Sequence, residues 1–253
     1  MTESNILIEF SQVSYRNARR DILCHINLQV APGEVVVLLG RSGSGKTTAL
    51  KLVNRLLLPS SGHVRVEARP TTDWDPVRLR RRIGYAIQEI GLFPHYTVEE
   101  NISLLPRLER WPRQRITARV NELLELTGLP ASEFSRRYPD ELSGGQRQRV
   151  GLARALALDP PILLMDEPFG ALDPLTRADV QREFKRLSGK LGKTVIFVTH
   201  DTREALLLAT RIAVLDSGAL QGVYTAEQFL NSDDAVLQPY IQTLRMPADI
   251  NQR

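Results

Sequence analysis

The feature that constrains this chain most is a glycine-rich and serine-rich stretch that directly follows an apolar run. The apolar run is Val35-Val-Val-Leu-Leu39, and the stretch after it reads Gly40-Arg-Ser-Gly-Ser-Gly-Lys46-Thr47. A continuous run of β-branched residues and leucine predicts a strand that is buried on both faces of a parallel sheet. A helix is then predicted by the apolar spacing at Leu50, Val53, Leu56 and Leu57, before Pro59. The order of strand, glycine loop and helix predicts the opening of a βαβ unit.

The glycine stretch matches the eight-position phosphate-binding loop in the strand-to-helix setting that this motif requires. Glycines let successive backbone N–H groups point at phosphate oxygens, and the helix N-terminus adds a partial positive charge. We expect Lys46 to neutralise the β- and γ-phosphates of a nucleotide and the Thr47 hydroxyl to coordinate Mg²⁺. The residues predicted to bind the nucleotide here are Gly40, Arg41, Ser42, Gly43, Ser44, Gly45, Lys46, Thr47 and Thr48.

A second motif places two carboxylates at the end of another apolar run, Ile162-Leu-Leu-Met-Asp166-Glu167. Ligands of open α/β sheets bind at the carboxyl edge of the strands, so both side chains are expected near the bound nucleotide. Asp166 is the predicted metal partner, and Glu167 is the predicted general base that polarises the attacking water.

Composition excludes several classes of protein. The chain has 253 residues, of which 42% are hydrophobic and 25% are charged, which excludes a disordered or fibrous chain. No apolar run approaches the roughly 20 residues that a membrane-spanning helix needs. The first residues, Met-Thr-Glu-Ser-Asn, do not resemble a secretory signal, and the single Cys24 cannot form an internal disulfide. We expect a reducing, cytoplasmic setting. The net charge of +4 decides nothing by itself, since it suits nucleic acid, an acidic membrane or a solvated surface.

The rest of the chain predicts an α/β core that a mostly helical insertion interrupts. Residues before Pro32 alternate apolar and polar positions, which is typical of half-buried strands. From about Gln88 to Pro160 helical patterns prevail, and buried strands are predicted again at Ile162–Met165, 194–199 and 211–215. Helix starts are predicted at Asp173-Pro174 and at Asp201, where Glu204 completes a capping pattern.

The motif that narrows the function is Leu142-Ser143-Gly144-Gly145-Gln146. Ser143 and Gln146 form a capping-box pattern, so Ser143 is predicted to start a helix whose N–H groups offer a second anion site. The chain thus has two helix starts that could each bind a phosphate group but only one complete nucleotide pocket. This suggests that the second helix start completes the pocket of another copy of the chain. With its surroundings, this pentapeptide resembles the signature of ATP-binding-cassette (ABC) ATPases.

The resemblance covers nearly the whole chain and implies further site residues. It makes Tyr15 the aromatic residue that stacks on adenine, and Gln88 the glutamine that touches Mg²⁺ and senses the membrane partner. It makes Asp173 the loop residue linking the two sites of a dimer, and His200 the switch residue that reaches the γ-phosphate. The signature residues Ser143, Gly144, Gly145 and Gln146 are implied to bind the partner's nucleotide.

The resemblance also implies a fold and a domain layout. The fold class is α/β: a P-loop NTPase core of the ABC ATPase type with an antiparallel β subdomain and a helical insertion subdomain. Residues 1–253 are expected to form a single ABC ATPase domain. Its core, including the antiparallel part, is about 1–88 and 160–220, its helical subdomain is about 89–159, and its C-terminal tail is about 221–253.

Two longer sequence segments resemble one branch of the family in particular. Ile87-Gln-Glu-Ile-Gly-Leu-Phe-Pro-His95 and Asp166-Glu-Pro-Phe-Gly-Ala-Leu-Asp-Pro-Leu-Thr-Arg177 resemble importers of quaternary amines such as glycine betaine, choline and proline betaine. ATPases of polar amino-acid and other small-solute importers share much of this wording and remain an alternative. Many betaine-type ATPases carry a pair of regulatory domains after the cassette, and the short stretch after Gly218 leads us not to expect them here.

The resemblance implies an ATPase that hydrolyses ATP with Mg²⁺ to energise uptake. Its partners are expected to be a second copy of the chain, integral membrane permease subunits and, indirectly, an extracytoplasmic solute-binding protein. The chain is expected to be peripheral, at the cytoplasmic face of the inner membrane. The region after Gln88 is expected to contact the permease, because Leu92, Phe93 and Pro94 are too apolar for an exposed loop; packing of these residues in the core is the alternative. ABC-type ATPases of DNA repair or the ribosome are a remote alternative, and no nucleic-acid partner is expected. The former need long insertions, and the latter typically carry two cassettes.

Overall fold

The computed structural model describes residues 6–87, 91–170 and 172–245. By their contacts, the described residues divide into two compact units. The first combines Met1–Asp73 with Ile196–Arg253, and the second is Trp74–Val195. Among the described residues, no helix has the length and apolar character needed to cross a bilayer.

The strands are β1 (Ile8–Asn17), β2 (Arg20–Val30), β3 (Val35–Leu39), β4 (Ser61–Val66), β5 (Arg69–Pro70), β6 (Ile83–Ala86), β7 (Ile162–Asp166), β8 (Thr194–Thr199), β9 (Arg211–Asp216) and β10 (Ala219–Tyr224). The helices are α1 (Lys46–Val53), α2 (Pro76–Arg81), α3 (Val98–Leu108), α4 (Arg113–Leu126), α5 (Ala131–Phe134), α6 (Gly144–Ala155), α7 (Pro174–Leu191), α8 (Thr202–Leu208), α9 (Ala226–Leu230) and α10 (Gln238–Arg245). Short 3₁₀ turns lie at Thr71–Asp73 and Pro139–Glu141.

The first unit contains an antiparallel sheet with the strand order β2-β1-β4-β5. Ile8, Phe10 and Val13 on β1 are buried, as the alternating pattern predicted, and Phe10 pairs with Leu28 of β2. β4 is a strand that the sequence analysis did not predict. It pairs antiparallel with β1 and brings Val64 opposite Phe10.

The first unit also holds the strands that position the glycine loop, in the order β10-β9-β3-β8. β3 runs parallel to β9 with Leu38 opposite Ala213, and all five residues of β3 are buried. Helix α8 packs on β3, and α10 packs on α8. The predicted buried strands at 35–39 and 211–215 are therefore confirmed.

The second unit combines a parallel strand pair with helices. β6 runs parallel to β7, with Ile83 opposite Ile162 and Ala86 opposite Met165. Helix α6 packs on β6, α3, α4 and α7, so it lies at the centre of this unit. The predicted helical part at about 89–159 falls inside this unit.

Helix α1 is shorter than its apolar spacing predicted. It ends at Val53, and Arg55 adopts a left-handed backbone with φ of 54°. The N–H groups of Leu56 and Leu57 both donate to the carbonyl of Lys51, and the side chain of Leu56 is 48% exposed. The prediction that the helix includes Leu56 and Leu57 was wrong, because these leucines belong to the turn that closes the helix rather than to its buried face.

Candidate active site

The glycine loop in the first unit is shaped by close backbone contacts. A Cβ atom on Gly40 would lie 2.2 Å from the carbonyl oxygen of Leu215, so no larger residue fits there. Gly45 has φ of 102°, a conformation that residues with a side chain rarely adopt, and it precedes the first residue of α1. The loop therefore depends on glycine at both ends.

The loop presents a cation and an uncapped helix start. The Lys46 side chain is 5% exposed, and its ammonium group donates to the carbonyls of Gly40 at 2.8 Å and Arg41 at 2.9 Å. No side chain caps the N-terminus of α1, and no acidic residue lies in its first turn. Such a helix start attracts anions through its N–H groups and dipole.

Two further observations fit a phosphate ligand. The buried Ser44 hydroxyl has no hydrogen-bond partner among the described residues, so a phosphate oxygen or a water would satisfy it. The loop also borders a cleft of about 390 Å³, which is in the range of small-molecule sites. The residues of this cleft that lie outside the loop are Arg20, Asp21, Ile22, Asp216, Ser217 and Gly218.

The acidic pair of the second unit lies at the end of β7, as predicted. Asp166 is the last residue of this strand and is 5% exposed. The hydroxyl of Tyr85 on β6 donates to Asp166 Oδ2 at 3.4 Å, and burial raises the pKa of Tyr85, so the phenol keeps its proton. Sequence reasoning missed Tyr85, because nothing in its spacing distinguishes it from a packing residue.

Glu167 has a strained backbone, with φ of 43°. Non-glycine residues in the left-handed region cluster at functional sites, where surrounding structure holds them in place. Here the Gly170 N–H donates to the Glu167 carbonyl at 3.1 Å, and Phe169 packs edge-on against Phe184 of α7. A backbone hydrogen bond and ring packing therefore hold the loop that carries Glu167.

His200 is exposed and directly follows β8. The turn around it is held by Thr199, whose hydroxyl donates to the buried Glu204 carboxylate at 2.5 Å and accepts from the Asp201 N–H at 3.0 Å. Asp201 caps α8, as predicted, by accepting from the N–H groups of Arg203 and Glu204. The capping role expected of Glu204 was wrong, because its carboxylate turns to Thr199 on the buried side.

Ser143 starts α6 with the predicted capping box. Its Oγ accepts from the Gln146 N–H at 3.2 Å, and Gln146 Oε1 accepts from the Ser143 N–H at 2.9 Å. Ser143 is exposed, and its hydroxyl hydrogen is not used by this cap, so it can donate to a ligand. Nucleotide binding by Gly144, Gly145 and Gln146 stays a prediction.

Asp173 caps α7, and Pro174 is the first residue of that helix, as predicted. Its Oδ1 accepts from the Thr176 N–H at 3.1 Å. Hydrogen bonds from Thr176 hold the pKa of Asp173 below its usual range, so this exposed residue carries a negative charge.

Two residues implied by the resemblance are less informative. Tyr15 is half-buried on β1, between two irregularities in the pairing with β2, and its contact with adenine stays a prediction. Gln88 lies outside the described residues.

The described residues contain no cluster of three or more His, Cys, Asp or Glu side chains that could hold a metal. Mg²⁺ at nucleotide sites is usually held by one or two protein oxygens together with phosphates and waters, so a separate cage is not required. Thr47 and Asp166 have the hard oxygen donors that Mg²⁺ prefers.

The second unit also carries an apolar groove of about 480 Å³. Val77, Phe93 and Leu108 along it are 50%, 40% and 57% exposed. Asn101, which is fully buried, accepts from the Phe93 N–H at 2.8 Å and donates to the carbonyl of Phe93 at 3.1 Å, so the exposed ring sits on a held loop. Other residues that line the groove include Arg80, Arg81, Tyr85, Leu104, Leu105 and Arg154.

Known proteins resemble this chain in sequence and in fold. The family model described as ABC transporter matches residues 23–170. A solved structure described as a dimeric post-hydrolysis state of the ATP-binding cassette MJ0796 bound to ADP and Pi aligns with a TM-score of 0.76 and 34% identity, covering 87% of this chain and 99% of that one. The predicted α/β fold of the ABC ATPase type is confirmed.

Curated relatives are ATP-binding proteins of import systems. The choline transport ATP-binding protein OpuBA of Bacillus subtilis is 47% identical over 95% of this chain. The osmoprotectant import ATP-binding protein OsmV of Salmonella typhimurium is 52% identical over 81% of it. The alignments span 63% and 54% of the lengths of these two relatives.

Proposed function

Since this chain belongs to the ABC transporter family, we propose that it is the ATP-hydrolysing subunit of an importer for a small quaternary-amine osmoprotectant such as glycine betaine or choline. The observation that carries the ATPase proposal is the phosphate loop, with its buried Lys46 ammonium in front of an uncapped helix start. The names of the curated relatives support the solute class.

Binding of ATP begins at the phosphate loop. The loop's N–H groups and Lys46 hold the β- and γ-phosphates, while Tyr15 supports the adenine. The residues proposed to hold Mg²⁺ are Thr47, Asp166 and Gln88, and the ion would supply positive charge to the phosphates. The hydrogen bond from Tyr85 keeps one oxygen of Asp166 oriented.

We assign hydrolysis to two residues, Glu167 and His200. The Glu167 carboxylate accepts a proton from water while the water oxygen attacks the γ-phosphorus, and the bond to the bridging oxygen breaks to release ADP. His200 donates to a γ-phosphate oxygen and stabilises the developing charge. The turn held by Thr199 and Glu204 sets the position of His200.

A second copy completes each site. The Ser143 hydroxyl and the N-terminus of α6 of one chain face the γ-phosphate held by the other, and Asp173 links the two sites. Two ATP molecules thus join the two chains, and hydrolysis removes the anionic groups that held the facing helix starts together.

The permease is expected to dock at the apolar groove. Exposed Val77, Phe93 and Leu108 offer apolar area, and Arg80 favours a segment that also carries acidic residues. We therefore expect the chain at the cytoplasmic face of the membrane, with an extracytoplasmic binding protein that delivers the solute to the permease.

The test compares the unchanged chain with Glu167→Gln and with the double variant Glu167→Gln/Lys46→Ala. We expect Glu167→Gln to lose more than about 100-fold in turnover, because the base is gone, and to dimerise in ATP. The double variant should bind neither ATP nor its partner copy. Turnover and oligomeric state are measured by phosphate release and light scattering. Near-normal turnover in Glu167→Gln would refute the assigned chemistry.

The solute is tested separately with co-purified permease and binding protein. Glycine betaine or choline should stimulate ATP hydrolysis, whereas polar amino acids should not. Stimulation by amino acids alone would favour the alternative importer class, and stimulation by nucleic acid alone would overturn the transport proposal.

A further inference from the structure

The start of α6 lies tightly against the start of α7. A Cβ atom on Gly145 would lie 2.4 Å from Cγ2 of Thr176, which is closer than real Cβ contacts come. The neighbouring Gly144 differs, because its Cβ would lie at an ordinary 3.5 Å from Leu172. Of these two signature glycines, Gly145 is therefore the one that packing against α7 requires.

The same threonine holds Asp173. Its backbone N–H donates to Asp173 Oδ1 at 3.1 Å, and its hydroxyl hydrogen bond helps to keep the pKa of Asp173 low. The methyl group of Thr176 thus touches the start of α6, and its polar atoms hold Asp173, the residue that caps α7.

Further contacts tie the two helices together. Arg149 of α6 forms an ion pair with Glu183 of α7 at 3.1 Å, and both side chains are mostly buried, at 26% and 17% exposure. Arg177 of α7 donates to the carbonyl of Leu172 at 3.2 Å, which braces the chain just before Asp173. The two helix starts are therefore held as one piece.

We infer that Thr176 is a positioning residue that sets Ser143 and Asp173 at a fixed spacing, so that both reach the partner chain's nucleotide site together. This inference rests on the proposed ATP-dependent dimer, in which both residues face the second copy. The methyl group of Thr176 fixes the position at which α6 packs, and its hydroxyl and N–H hold the Asp173 side chain in position.

A stability cycle tests the contact without requiring a dimer. Gly145→Ala should lower the urea midpoint, although alanine is the better helix former, because its methyl group meets Thr176 Cγ2. Adding Thr176→Ser, which lacks that methyl, should restore the midpoint. Gly144→Ala is the matched control, and its midpoint should not depend on residue 176. Additive effects of Gly145→Ala and Thr176→Ser would overturn the inference.

A dimerisation assay tests the positioning role. In a Glu167→Gln background with ATP, Gly145→Ala should raise the chain concentration for half-dimerisation about tenfold. Thr176→Ser should return it to within about threefold of the background chain. A defect due to lost phosphate contacts at Gly145 would not be rescued, and absence of rescue overturns the positioning role.

A second variant tests the polar side of Thr176. Thr176→Val keeps the methyl group, removes the hydroxyl and should raise the pKa of Asp173, measured by NMR titration of its carboxyl group. An unchanged pKa would contradict the assigned hydrogen bond.

Failure of the proposed function can be distinguished from failure of this inference. If Glu167→Gln with Thr176 intact fails to dimerise in ATP, the proposed function is wrong, while the stability cycle still tests the contact between Gly145 and Thr176.

Discussion

At the scale of single residues, several residues assigned to the active site are held in place by side chains that belong to no recognised motif. Thr199 is 1% exposed and joins β8 to Glu204, and His200 lies between Thr199 and Asp201 in the chain. Tyr85 holds Asp166 in the same indirect way. Removing such a hydroxyl takes a hydrogen-bond partner from a buried carboxylate, which lowers the stability of the fold.

Thr199→Val is expected to lower the free energy of unfolding by about 1–3 kcal/mol, because the Glu204 carboxylate loses a donor and the Asp201 N–H loses an acceptor. It should also lower the turnover number more than it changes the KM for ATP, because His200 is displaced. Urea unfolding and steady-state phosphate release measure both effects. Thr199→Ser keeps the hydroxyl and is the control, and equal losses in both variants would contradict the hydrogen-bond explanation.

At the scale of elements, α6 is held at both ends. Its first turn carries the Ser143 capping box, and the carbonyl of Leu156 at its C-terminus accepts from Arg119 at 2.8 Å. Arg119 and Lys193 both pair with Asp159, at 3.3 Å and 2.8 Å. This ion-pair group joins α4, the end of α6 and the residue before β8.

The Asp159 group predicts a pH dependence of stability. The hydrogen bond from Lys193, with the nearby charges, holds the pKa of Asp159 below its ordinary value of about 3.9. A lowered folded-state pKa stabilises the fold above the unfolded value, and this contribution is lost as the pH falls through the folded-state pKa. Because Asp159 is 62% exposed, the loss in Asp159→Asn at neutral pH should stay below about 1 kcal/mol.

Urea unfolding of Asp159→Asn, Lys193→Met and the double variant between pH 2 and 7 measures this effect. The two single losses should be non-additive at pH 7, and the difference between Asp159→Asn and the unchanged chain should shrink below about pH 4. A difference that stays constant across the whole range would show that the charge of Asp159 plays no part.

At the scale of the whole molecule, the residues proposed for catalysis lie on two compact units, and the second unit carries the apolar groove. Under the proposed function, this groove is the docking site for the permease. Its wall includes Tyr85, which donates to Asp166, so this one side chain contacts both the groove and the carboxylate proposed to bind Mg²⁺.

Leu108→Asp is expected to leave the basal ATPase rate of the isolated chain within about twofold, because Leu108 is exposed and lies outside the assigned nucleotide site. It should reduce permease-stimulated hydrolysis by more than about tenfold, because a buried, unpaired carboxylate opposes docking. Leu230→Asp on α9, with a leucine that is 45% exposed, is the matched control. Equal stimulation of both variants would exclude the groove as the docking site.

The sequence by itself determined the features that depend on neighbours along the chain. The phosphate loop after β3, the Ser143 capping box and the caps at Asp173 and Asp201 were all predictable, because each is built from residues within a few positions of one another. The buried strands were predictable because burial on both faces requires continuous apolar runs.

Only the tertiary structure decided which distant side chains meet. Tyr85 reaches Asp166 across 81 positions, and Thr176 packs on Gly145. No local pattern predicts these pairs, because each depends on how β6, β7, α6 and α7 pack rather than on chain spacing. The motifs therefore identify the residues proposed for the chemistry, whereas the packing of the second unit sets the positions of Asp166, Ser143 and Asp173.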